Sequence, residues 1–275
     1  MFDAVDSVAV ANRRPSDRVP APAAIALRAV RKTFAKVAVD DLDLTVPAGE
    51  LYALLGPNGA GKTTTLRMIA GLLRPDAGSI SIFGIDALAD PVAAKRITAW
   101  LPDEPMLYDK LSPLEDLEFV AGLWGIERET AEQAAVELID ALELTPLRYA
   151  RCEGFSRGMQ QKVALAGALF HAPRLIVLDE PLTGLDAAIA RSVKDLLQAR
   201  VKAGATILLT THILEVAERL ADRIGIVADG RLVAEGTLDE LKAAAGKLST
   251  HPGRSSGTLE DAFLALTAAR KDGVA

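Results

Sequence analysis

The sequence predicts an α/β fold built on a mainly parallel sheet, and three observations carry that prediction. Short, almost wholly apolar runs, "LYALLG" (51–56), "RLIVLDEP" (174–181) and the run ending in "LLTTH" (208–212), have the length and hydrophobicity of strands buried on both faces. Helical patterns alternate with these strands along the chain. Polar and glycine residues gather at the strands' C-terminal ends, where sheets of this kind bind ligands.

The elements follow in order. "AIALRAVRKTF" (24–34) and "DLDLTV" (41–46) alternate apolar and polar residues, as half-exposed strands do, and predict an antiparallel β unit before the core. Pro47 to Glu50 is a turn leading into "LYALLG". A glycine-rich loop then opens a helix, "TTTLRMIAGLL" (63–73), which ends at Arg74-Pro75. "DAGSISIFG" (76–84) reads as turn then strand. From Ser112 to about Leu144 the pattern is helical, with Ser112 as N-cap, Pro113 at the first helical position and Glu115 at capping-box spacing. A further helix, "SRGMQQKVALAGALFH" (156–171), precedes "RLIVLDEP". "RIGIVADGRLVAEGT" (223–237) is a hairpin turning at Asp229-Gly230. An amphipathic helix, "TLEDAFLALTAAR" (258–270), follows a Gly/Ser-rich link at 253–257.

The bulk composition narrows the function. Of 275 residues, 50% are hydrophobic, and mean hydropathy is +0.21, which sets a membrane protein against an α/β protein with a buried sheet. No apolar run approaches the roughly 18 residues of a spanning helix, so the second reading is preferred. The net charge of −6 leaves no broad basic footprint for nucleic acid. A single cysteine, Cys152, excludes an internal disulfide and fits a reducing compartment. The first 24 residues, with early acids and three prolines, do not read as a secretory signal and are expected to form a flexible tail.

The chemistry is concentrated at strand ends. "GPNGAGKT" (56–63) matches G-x-x-x-x-G-K-[ST] between a strand and a helix, as phosphate binding requires. Gly56, Pro57, Asn58, Gly59, Ala60 and Gly61 allow the backbone to wrap phosphates, with amides from about Asn58 to Thr63 turned inward. Lys62 places a cation on the β- and γ-phosphates, the Thr63 hydroxyl can ligate Mg²⁺, and Thr64 follows at the helix start. Asp179, after four apolar residues, can hold the Mg²⁺ shell, and Glu180 could polarise the attacking water. The plain alternative for this acidic pair is a solvated strand end. His212 lies at the same sheet edge, within reach of a γ-phosphate, or is simply a capped strand-end histidine. His171 and His251 have no such context.

With these motifs in hand, the chain resembles the nucleotide-binding subunits of ABC transporters. "GPNGAGKTT", "FSRGMQQ", "LIVLDEP", "TGLD" and "TTH" stand in that family's order, over about residues 25–236. The first motif alone says only P-loop NTPase; "FSRGMQQ" just before "LIVLDEP" narrows it. "FSRGM" occupies the place of the LSGGQ signature: Ser156 and Gly158 match, whereas Phe155, Arg157 and Met159 depart. The resemblance implies a P-loop NTPase core with a mainly parallel sheet, an N-terminal antiparallel β subdomain, a helical subdomain inserted at about 100–155 and a C-terminal helical extension over 237–275. It implies two subunits sandwiching two ATPs, with the helix start at Ser156 closing over the γ-phosphate bound by the other subunit, Gly158 where backbone must approach closely, and Asp186 reaching across the dimer interface to help orient the partner's site; Arg157 can extend outward from the helix start. Phe34 would stack on adenine, its alternative being a strand-edge core residue. "TLEDAFLALT" is similar to the tail of ATPases serving ABC-2 type exporters.

"LPDEPMLY" (101–108) falls where the family has its Q-loop, with Asp103 at the usual glutamine. An aspartate can accept hydrogen bonds and approach Mg²⁺, but when ionised it cannot donate. The flanking prolines restrict the backbone, as befits a hinge; Glu104 is expected in solvent or facing a permease. The resulting expectation is an ATPase using ATP and Mg²⁺, acting with a second ATP-binding subunit and a separate integral-membrane permease, peripheral on the inner face of the cell membrane, without nucleic acid. The alternative is an ABC ATPase outside transport, for example in iron–sulfur cluster assembly. A P-loop kinase would leave "FSRGMQQ" without a role.

Overall fold

The computed structural model describes residues 23–248 and 258–271. Nearly all of the expected N-terminal tail, the link at 253–257 and His251 lie outside the described residues.

Residues of two sheets meet in one of the molecule's two cores. The smaller sheet has the order β2-β1-β4-β5 and is antiparallel: β1 (Ala23–Thr33), β2 (Val37–Pro47), β4 (Ala77–Ile82) and β5 (Ile85–Asp86). The larger runs β10-β9-β3-β8-β7-β6. Its members are β3 (Leu51–Leu55), β6 (Thr98–Leu101), β7 (Leu175–Asp179), β8 (Thr206–Thr210), β9 (Arg223–Ala228) and β10 (Arg231–Gly236). All its pairings are parallel except that of β9 with β10. The helices are α1 (Lys62–Ile69), α2 (Pro91–Arg96), α3 (Pro113–Trp124), α4 (Arg128–Ala141) and α5 (Arg157–Leu169), then α6 (Ala187–Lys202), α7 (Leu214–Leu220), α8 (Leu238–Leu248) and α9 (Leu259–Lys271).

The unbroken apolar runs now have a cause. Every residue of β3, β7 and β8 is buried, and successive side chains enter two different cores. Leu51, Ala53 and Leu55 join Ile176, Leu178, Ile207 and Leu209 beneath the helices that include α3–α6. Tyr52 and Leu54 join Leu175, Val177 and Leu208 in a second core, closed by the antiparallel sheet and α1. A strand buried on both faces has no polar side to show.

The capping box forms as the sequence predicts: Glu115 N donates to Ser112 Oγ at 3.4 Å and Ser112 N donates to Glu115 Oε2 at 2.8 Å. The Ser112 N–H, and the Ser112 hydroxyl donating to the same Oε2 at 2.9 Å, hold the Glu115 carboxyl below its ordinary value. The hairpin turn carries positive φ at both Asp229 (50°) and Gly230 (75°), the type I′ pattern that matches strand twist. The sequence reading missed β6, whose four residues are too few to show a period, the two-residue β5, the six-residue α2 and the seven-residue α7, and also the sixteen-residue α6. Among the described residues no helix is long and apolar enough to cross a membrane.

Candidate functional site: a phosphate cavity at the sheet's C-terminal edge

A cavity of about 540 Å³ opens where β3, β7 and β8 end, lined by residues that include Phe34, Asn58 to Thr64, Asp103, Asp179, Glu180 and His212. Five chain segments thus bring most of the sequence-predicted residues together. Gly56 and Pro57 begin the same loop and line a smaller adjoining cavity with His212.

The loop's glycines are required by close backbone approach. A Cβ on Gly56 would lie 2.3 Å from the Val227 carbonyl oxygen. Gly61 has φ +100°, and its Cβ would lie 2.3 Å from the Ala38 carbonyl oxygen, so both conformation and space exclude a side chain. Gly61 is the N-cap of α1 and supplies no capping side chain. The first-turn amides of α1 therefore face the cavity as an anion site. The turn of the β9–β10 hairpin braces the loop: Gly230 N donates to Ala60 O at 3.1 Å, and Asp40 N donates to Gly230 O at 2.9 Å.

Lys62 is buried, and its ammonium donates to the loop carbonyls of Gly56 (2.6 Å) and Pro57 (3.2 Å). Burial lowers its pKa from the ordinary 10.5, an effect opposed by the nearby Glu180 and Asp179 carboxylates. Asp179 is only 4% exposed, and its Oδ1 accepts from Thr210 Oγ1 at 2.6 Å. The same hydroxyl accepts from Glu180 N at 3.1 Å. Thr210 therefore fixes both acids; the sequence reading passed over it, although it stands in the "TTH" motif.

Glu180 is the most constrained residue of the group. Its φ of 50° places a non-glycine residue in the left-handed region, a strain of about 1–3 kcal/mol that the surrounding contacts must offset. Glu180 Oε2 accepts from Thr183 Oγ1 at 3.0 Å and His212 N at 3.3 Å, and lies 2.9 Å from His212 Nδ1. An ionised carboxylate only accepts, so Nδ1 carries the hydrogen in that contact. Thr183 was also missed, though it opens "TGLD". Lys36, Val37 and Ala38 line the cavity too, and no sequence signal marks them.

The donor set fits Mg²⁺. Thr63 and Asp179 offer hard oxygens in one cavity, and among the described residues no cluster of three or more His, Cys, Asp or Glu forms a protein cage. A cation that keeps waters and shares nucleotide phosphates needs only one or two protein oxygens.

Phe34 lies in the cavity wall and is 58% exposed, so burial does not account for it. Ser156, Gly158 and Asp186 do not line this cavity. Ser156 caps α5, accepting from Met159 N at 3.3 Å. Asp186 caps α6 through Ala188 N (3.1 Å) and Ile189 N (2.9 Å). A Cβ on Gly158 would meet Ile189 Cδ1 at 2.7 Å, so within the single chain this glycine lets α5 approach α6. Buried Gln161 of α5 donates to Pro181 O at 3.3 Å, tying that helix to the segment after Glu180. Arg157, expected to extend outward, instead turns toward the segment after β6: its Nη2 donates to Asp103 Oδ1 at 3.1 Å.

The family model for ABC transporters matches residues 39–183. The chain belongs to the ABC transporter family. Its relatives include the daunorubicin/doxorubicin resistance ATP-binding protein DrrA of Streptomyces peucetius, 41% identical over 227 residues, covering 81% of this chain and 69% of that one. The ABC transporter ATP-binding protein NatA of Bacillus subtilis is 38% identical, covering 74% and 83%. The Nod factor export ATP-binding protein I of Burkholderia lata is 40% identical, covering 78% and 71%. Among solved structures, an ATP-binding subunit of an ABC transporter superposes with TM-score 0.80 at 33% identity, covering 88% of this chain and 99% of that one. A dimeric post-hydrolysis ATP-binding cassette bound to ADP and phosphate gives 0.72 at 27% identity, covering 78% and 98%. The chain is accordingly an ABC ATPase whose substrate is ATP.

Proposed function

We propose that this ABC ATPase closes with a second ATP-binding subunit around two ATPs and drives a separate integral-membrane permease in export, from the inner face of the cell membrane. The observation that carries the reading is the convergence of Lys62, Asp179, Glu180 and His212 on one phosphate cavity. The relatives named for drug resistance and Nod factor export support the direction of transport. No feature favours the iron–sulfur alternative.

In this reading Lys62 leaves the loop carbonyls for the β- and γ-phosphate oxygens, joined by the amides of Asn58 to Thr63. Glu180, aimed by Thr183 and His212, takes the proton of the attacking water, and Phe34 stacks on adenine. Thr63 and Asp179, with Asp103 nearby, would hold Mg²⁺, which neutralises charge on the phosphates when bound. Ser156, Gly158 and Asp186, outside their own chain's cavity, serve the partner's nucleotide. Residues 25–236 form the ATPase domain, with the helical subdomain at about 100–155 and the extension at 237–275.

The test is Glu180→Gln. Loss of the base lowers ATP turnover by about 10²–10⁴-fold, while ATP affinity by nucleotide titration stays within about twofold. Normal hydrolysis by this variant overturns the catalytic assignment, and failure of the chain to copurify with a permease overturns the transport role.

A further inference from the structure

The two most chemically distinct departures from the family pattern are in contact with each other. Asp103 stands where the resemblance expects glutamine, and Arg157 where the signature has glycine. They are 54 residues apart in sequence. In the fold, Arg157 Nη2 donates to Asp103 Oδ1 at 3.1 Å and to the Asp103 carbonyl oxygen at 3.5 Å. The guanidinium also lies over Gly184: a Cβ there would sit 3.7 Å from Arg157 Cδ, Nε and Nη1. One cation thus bridges the hinge after β6, the start of α5 and the segment between Glu180 and Asp186.

Charge explains why the two belong together. Asp103 lines the phosphate cavity along with Asp179 and Glu180. A bound nucleotide triphosphate brings more negative charge, so an unpaired carboxylate at the hinge would oppose its γ-phosphate, which a neutral amide would not. The ion pair is about half exposed on both sides, at 48% and 49%, so it adds little to folding stability. We propose that Arg157 is a positioning residue that neutralises Asp103 and holds it at the γ-phosphate, the pair standing in for a neutral amide. This rests on the reading of the cavity as the hydrolytic ATP site.

A mutant cycle on the full chain tests it. Arg157→Gly is expected to raise KM for ATP about threefold to tenfold, with kcat within about twofold and ADP affinity nearly unmoved. The melting temperature is expected to shift by less than about 2 °C. Adding Asp103→Gln to Arg157→Gly restores most of the lost ATP affinity, because the carboxylate that needed the cation is gone. Effects of the two substitutions that simply multiply, or a KM unchanged by Arg157→Gly, overturn the proposal. A lower melting temperature accompanied by equal losses of ATP and ADP binding makes Arg157 merely structural and overturns it as well. Glu180→Gln is run in the same assay. If it abolishes turnover while the cycle is multiplicative, this inference fails and the ATPase reading stands; if it hydrolyses normally, the ATPase reading fails and this one with it.

Discussion

The proposed nucleotide site has a core half and an outer half that are built by different means. The core half, comprising the loop at 56–63, Asp179, Glu180 and His212, hangs from the ends of adjacent parallel strands. Its obstructions are backbone: Val227 O and Ala38 O lie 2.3 Å from where a Cβ would be added at Gly56 and Gly61. The outer half comprises Asp103, Ser156, Arg157 and Gly158, of which only Asp103 lines the cavity, and sits on the segment after β6 and the start of α5. It is held by side chains, through the Asp103–Arg157 pair, the Ser156 cap and the contact of Gly158 with Ile189 Cδ1. A backbone lattice cannot yield locally, whereas side chains can change partners. In the proposed function, chemistry that needs fixed distances falls to the first kind of structure, and closure over a nucleotide to the second.

The largest effect expected from breaking this contrast is Gly61→Ala. The new methyl group meets a backbone carbonyl and forces an L-residue to φ +100°, so relief requires moving the loop itself. Stability falls by about 2 kcal/mol or more, read by thermal unfolding, and ATP affinity falls at least about tenfold, read by nucleotide titration. No single second-site truncation repairs it. If Gly61→Ala binds ATP normally, the core half is not the rigid half.

Gly158→Ala is the matched experiment on the outer half and is expected to be milder. Its obstruction is the end of the Ile189 side chain, 2.7 Å away, and that side chain can rotate or be shortened. The cost is about 1 kcal/mol of stability. Ile189→Val removes the obstructing carbon, so the double variant melts above Gly158→Ala alone. If the double variant is no better, the packing account of Gly158 fails and its approach to a partner's nucleotide remains as the reason for the glycine.

The same contrast decides what could be read from sequence. The core half is local: strand, loop and helix run consecutively, so spacing alone places Gly56 to Thr64, and the apolar run before Asp179 puts that acid at a strand end. Thr183 reaches Glu180 locally, three residues on, but the orienting of Asp179 and Glu180 by Thr210 depends on β7 lying beside β8 in register (Asp179 opposite Thr210). That pairing is a tertiary fact. The Asp103–Arg157 contact is less legible still. Each residue reads singly as a departure, and only the fold makes one the partner of the other. Asp186 is a similar case: one carboxylate reads as a reach toward a partner subunit, yet in the chain it already caps α6.

The smallest predicted effect concerns the charge of the core half. Burial lowers the Lys62 pKa from the ordinary 10.5, partly opposed by Glu180 and Asp179. Between that lowered value and 10.5 the unfolded chain holds the proton and the folded chain does not. In this window the unfolded state binds more protons, so Lys62 makes the nucleotide-free chain slightly more stable as pH rises. ATP affinity moves the opposite way, because the ammonium that would meet the phosphates is lost. At the folded-state pKa half the chains carry the charge, so affinity is down about twofold there, at a pH below that at which an exposed lysine titrates. A titration of ATP affinity against pH shows this fall as a one-proton step. Lys62→Arg keeps its charge throughout and is expected to remove the step, whatever it does to affinity at neutral pH. If the step persists in Lys62→Arg, the titrating group is not Lys62, and the balance between burial and the two carboxylates is not what sets the charge at the centre of the rigid half.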